Sequence, residues 1–118
     1  MATVLILEDD PVLVDLLKTI VEEGGHEAVV APTIERVPPR LAPDLVLTDL
    51  IPLTSYRREQ AEGWVRNVRA RFPRATVIVL TAHAAAAREA DQLGADDVIA
   101  NPFDVDALAR KISERLTG

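Results

Sequence analysis

A chain of 118 residues, 48% hydrophobic and 27% charged, has the length and balance of one domain, 1–118, with a core of its own. No apolar run approaches the ~20 residues of a membrane helix, and no basic segment precedes the first apolar run as in a secretory leader. A net charge of −6 argues against direct nucleic-acid binding, and the lack of cysteine excludes disulfides and thiolate chemistry and fits a cytoplasmic location.

The first element is TVLIL (3–7), short, apolar and β-branched, the signature of a buried strand. It runs into Glu8, Asp9, Asp10 and Pro11. Asp10 followed by Pro11 suits an N-cap and a first helical position, which gives Asp10 a capping role rather than a ligand role. Leu13, Leu16, Leu17 and Ile20 then form a helical stripe that Gly24 and Gly25 end. A second strand is expected at AVVA (28–31). The next helical slot, TIERVPPRLAP, is interrupted by Pro38 and Pro39, so a short helix or irregular crossover is expected. DLVLTD (44–49) reads as a third strand. Ala61, Val65, Val68 and Phe72 mark a helix stopped by Pro73. TVIVL (76–80) is the fourth strand, an alanine-rich helix spans Ala84 to Leu93 with Gly94 as C-cap, and DVIA (97–100) is the fifth strand. Val105, Leu108, Ala109, Ile112 and Leu116 form the last helix, with Asp104 as its N-cap.

Continuous apolar strands alternating with amphipathic helices imply a doubly wound α/β sandwich around a five-stranded parallel sheet. In such sheets function lies beyond the carboxyl ends of the strands. Those ends carry Glu8, Asp9, Asp49, Thr81 and Asn101. The acidic triplet alone reads equally as a solvated turn. Joined by Asp49 and Thr81 it becomes an all-oxygen constellation suited to a hard divalent cation such as Mg²⁺.

The pieces VLILEDDP, PDLVLTDLIP, ATVIVLTAHA and LGADDVIANPFDVDALARKI together resemble the receiver domain of two-component response regulators, along the whole chain. The resemblance implies a flavodoxin-like fold of strand order 2-1-3-4-5. It implies that Asp49 takes a phosphoryl group from a phosphohistidine on a histidine kinase or histidine phosphotransferase. It assigns Mg²⁺ to Glu8, Asp9, Asp49 and the Ile51 carbonyl, and a phosphoryl contact to Thr81. The domain is then a signalling part rather than an enzyme, acting through a downstream protein, with a homodimer through the last helices as one arrangement. Ending at ERLTG, the chain is expected to carry no output domain of its own.

The sequence departs from that family pattern in three places. Asn101 stands where receivers carry lysine, and the only lysines are Lys18 and Lys111. Val98 replaces an aromatic ring. The loop after Asp49 is long, with Pro52 early and Gly63 late. The alternative is a pseudo-receiver that binds partners without phosphate. A more remote one is a small Mg²⁺-dependent phosphohydrolase, which would want an aspartate at position 51 and a lysine. Arg57, Arg58, Arg66, Arg69, Arg71 and Arg74, near Tyr56 and Trp64, read as a solvated helix face or a docking face for an acidic partner. His83 lies at the mouth of the site.

Overall fold

The computed structural model describes residues 2–49 and 57–117. Its strands are β1 (Thr3–Leu7), β2 (Glu27–Ala31), β3 (Leu45–Thr48), β4 (Thr76–Thr81) and β5 (Asp97–Ala100). Its helices are α1 (Pro11–Glu23), α2 (Arg58–Arg71), α3 (Ala84–Arg88), α4 (Ala90–Leu93) and α5 (Val105–Thr117). All strand pairs are parallel, in the order β2-β1-β3-β4-β5.

The central strands β1, β3 and β4 are buried on both faces, and strand alternation divides their side chains between two cores. Leu5, Leu7, Val46, Val77 and Val79 pack with Ala61, Val65, Val68 and Phe72 of the α2 side. Val4, Ile6, Leu45, Leu47, Ile78 and Leu80 pack with Leu17, Ile20 and Val21 of α1 and Leu108 and Ile112 of α5. Each such side chain contributes ~1.5–3 kcal/mol on burial, so the strand ends are held by many independent contacts.

The expected caps form. The Asp10 carboxylate accepts from the backbone N–H of Val12 at 2.9 Å, with Pro11 opening α1. Asp104 accepts from the N–H of Asp106 at 2.8 Å and starts α5. The proline-interrupted slot yields one 3-10 turn, Ile34–Arg36. Two details differ from expectation. Val21 joins the buried face of α1 while Leu16 is 39% exposed. The alanine-rich helix breaks at Glu89 (φ −105°, ψ 23°) into α3 and α4.

Several arginines expected to be solvated are tied down instead. Arg58 reaches Gln92 at 2.8 Å and Glu89 at 3.3 Å, bracing α2 against α4. Arg69 donates to the Gly94 carbonyl at 2.6 Å and to Asp96 at 2.9 Å. Arg57, Arg66 and Arg74 are exposed. Tyr56 lies outside the described residues.

Candidate functional site

Parallel pairing brings the singled-out residues to one edge of the sheet. Leu7 of β1 is in register with Thr48 of β3, and the Asp49 N–H extends that ladder to the Leu7 carbonyl at 3.4 Å. Glu8 follows Leu7 directly, so Glu8 and Asp49 leave adjacent strands at the same level. On the other side of β3, β4 ends at Thr81, and the Asn101 N–H binds the Thr81 carbonyl at 2.7 Å. Glu8, Asp9, Asp49, Thr81 and Asn101 thus all lie at the carboxyl edge of the central strands. The Asn101–Pro102 peptide is cis.

The charges at this edge interact. Glu8 is 5% exposed, and its carboxyl is pushed up from 4.5 to about 7, chiefly by burial. The negative charges of Asp49 and Asp9 push in the same direction. Opposing them, Glu8 Oε1 accepts from the backbone N–H of Asp10 at 3.1 Å and of Asp9 at 3.2 Å. This edge therefore concentrates negative charge in a poorly solvated place. Asp9 is exposed and Asp49 half-buried. Among the described residues, no three His, Cys, Asp or Glu side chains are already gathered to hold a metal ion. The carboxylates share an edge, and Glu8 is turned toward its own backbone.

Thr81 is 1% exposed, and its hydroxyl oxygen accepts from the His83 N–H at 3.0 Å. Asn101 is half-buried beside it. Neither lysine is at this edge by pairing: Lys111 of α5 faces Asp97 at 3.8 Å, and Lys18 is exposed on α1. Val98 is half-buried against the α2-side core, a packing residue. The Ile51 carbonyl and Pro52 lie outside the described residues.

Sequence reasoning missed two residues here. Thr48, 1% exposed, donates its hydroxyl to the Asp49 carbonyl at 2.8 Å and accepts from the Trp64 indole N–H at 2.9 Å. A hydroxyl residue directly before the aspartate and a lone tryptophan were the visible signals. Their meeting depends on how α2 lies over β3.

Comparison with known proteins gives the family and the fold. The family model for the response regulator receiver domain matches residues 4–113. The response regulator protein FleR of Pseudomonas aeruginosa is 33% identical over 99% of this chain, which spans 25% of that protein's length. A response regulator from Thermotoga maritima superposes with a TM-score of 0.83 at 23% identity, covering 100% of this chain and 99% of that one. The response regulator protein TrrA of the same organism, solved in complex with Mg²⁺–BeF, has a TM-score of 0.76 and 26% identity, with 98% and 100% coverage. Strand order, the acids at the sheet edge and a family match along nearly all of its length lead to one conclusion: this chain belongs to the response regulator receiver domain family, a signalling domain of two-component systems.

Proposed function

We propose that Asp49 is the acceptor of a phosphoryl group delivered by a phosphohistidine of a histidine kinase or histidine phosphotransferase. The observation that supports this most directly is that Glu8 and Asp49 leave adjacent strands at the same level, at the edge where Thr81 closes the neighbouring strand. Phosphoryl transfer depends on in-line positioning and charge cancellation more than on covalent help. Asp49 is the nucleophile in this reading. The Thr81 hydroxyl, two bonds from the Cα of a paired strand, is the donor to a phosphoryl oxygen.

The donor set fits Mg²⁺. Glu8, Asp9 and Asp49 supply only carboxylate oxygens, and the like charges of Asp49 and Asp9 bear on Glu8, a repulsion that a hard cation placed among them would relieve. Bound there with the Ile51 carbonyl, Mg²⁺ would neutralise the acids and the transferring oxygens. A phosphoryl group adds ~2 negative charges, and the response passes through protein contacts made by the helices beyond β4. TrrA was solved with Mg²⁺–BeF, which suits the same assignment here.

Intact mass measured after incubation with acetyl phosphate, with and without Mg²⁺, tests the proposal. An adduct that requires both the metal and Asp49, and is lost in Asp49→Asn, supports it. No adduct under any condition, with partner binding unchanged in Asp49→Asn, identifies a pseudo-receiver, the reading that Asn101 in place of lysine favours. Multiple turnover of a phosphoester identifies the hydrolase.

A further inference from the structure

Asp49 is the residue at which the chain leaves the sheet, so what fixes its backbone fixes the direction of its carboxylate. On the amino side, its N–H reaches the Leu7 carbonyl at 3.4 Å, the long end of the hydrogen-bond range. On the carboxyl side the contact is tighter: the Thr48 hydroxyl meets the Asp49 carbonyl at 2.8 Å. The shorter bond has the greater hold on the peptide plane that follows Asp49.

Donor chemistry fixes the sense of this contact. An indole Nε1 only donates, so the Thr48 oxygen 2.9 Å from Trp64 must accept, which leaves the hydroxyl proton for Asp49. Thr48 is 1% exposed, so water has no access with which to compete, and its branched side chain has few rotamers. Trp64 is itself packed against the core on the α2 side. The result is a directed chain from the body of α2, through a buried hydroxyl, to the main chain of the aspartate.

We propose that Trp64 and Thr48 are positioning residues for Asp49. The indole N–H sets the Thr48 rotor, and the hydroxyl sets the Asp49 carbonyl and hence the line along which the carboxylate meets an incoming phosphoryl group. This rests on the reading of Asp49 as acceptor. A misplaced reacting group can cost up to about 10²-fold in rate. Loss of one backbone anchor is a milder fault, about tenfold.

The test uses the whole chain, with the rate of adduct formation from acetyl phosphate and Mg²⁺ read by intact mass and folding checked by thermal melting. Thr48→Val, which keeps the shape but loses the hydroxyl, should label about tenfold more slowly. Thr48→Ser, which restores the hydroxyl, should recover most of the rate. Trp64→Phe should slow labelling, and the Thr48→Val/Trp64→Phe double variant should be no slower than Thr48→Val, since both act through one hydroxyl. Trp64 is the chain's single tryptophan, so its emission reads the same link without any chemistry. Added Mg²⁺ should shift that emission in the wild type and Thr48→Ser but not in Thr48→Val. Wild-type labelling in Thr48→Val, no rescue by serine, or rate losses that multiply in the double variant would each overturn the inference and leave the acceptor reading intact. A wild-type chain that takes no phosphoryl group overturns both.

Discussion

Arg69 of α2 and Asp96, the residue before β5, are joined at 2.9 Å, and the same carboxylate oxygen accepts the backbone N–H of Val77 in β4 at 2.8 Å. One carboxylate therefore links a helix, the entry to β5 and the second residue of β4. The ion pair itself is partly exposed and contributes little. The amide of buried Val77 is the larger matter, since leaving such a donor unpaired costs ~1–3 kcal/mol. Asp96→Ala should lose stability in that range, and Arg69→Ala less than ~1 kcal/mol, both read from urea midpoints.

Glu8 should make stability fall with rising pH. Its carboxyl titrates at about 7 in the fold against an ordinary 4.5. Between these values the folded chain holds the proton and the unfolded chain has lost it, so raising the pH favours unfolding. Above about pH 7 the full penalty is present, on the order of 1–3 kcal/mol. Metal-free Glu8→Gln should therefore be more stable than the wild type near pH 8 and about equal to it near pH 4.5. A wild type and variant that differ equally at both pH values would refute this assignment. Because Mg²⁺ competes with that proton, its affinity in the wild type should weaken as pH falls below about 7.

Asn101 is held at the site by its backbone bond to Thr81, which makes it a suitable place to restore a charge. A charge-assisted hydrogen bond is worth ~1.5–3 kcal/mol. Asn101→Lys should therefore speed phosphoryl uptake, or lengthen the life of the adduct, by about one to two decades. Single-turnover labelling with acetyl phosphate measures it, and an unchanged rate and lifetime would mean that position 101 does not face the phosphoryl oxygens.

Two glycines should respond with opposite signs. Gly94 ends α4 at φ +83°, and a Cβ there would meet only Val65 at 4.0 Å, so the penalty is conformational. Gly94→Ala should cost ~1–2 kcal/mol. Gly63 lies inside α2 at an ordinary φ, with nothing within 4 Å of an added Cβ. Gly63→Ala should stabilise by ~0.5–1 kcal/mol. Thermal melts of the two variants should move in opposite directions.

The elements were legible where local chemistry and periodicity agreed. TVLIL and TVIVL are apolar throughout because both faces of their strands are covered, and Asp10–Pro11 and Asp104 announce helix starts by capping chemistry that needs only neighbouring residues. The break at Glu89 was not legible, since helix propensity extends through it. Nor was the rotation of α1 that exposes Leu16 in favour of Val21, because a stripe read from spacing has no absolute phase until a sheet lies beneath it.

The candidate site divides in the same way. Residues at or just beyond strand ends, Glu8, Asp49 and Thr81, could be assigned to one edge from the sequence, because parallel topology puts every strand's carboxyl end on the same side. That Glu8 is buried enough to hold a proton near neutrality, that Arg69 serves a β4 amide through Asp96, and that Trp64 reaches Thr48 across 16 residues of chain were decided only by the tertiary structure. Solvent exclusion and hydrogen-bond partners depend on which surfaces meet. A linear pattern of residue types specifies which residues end each strand, but not what stands opposite them.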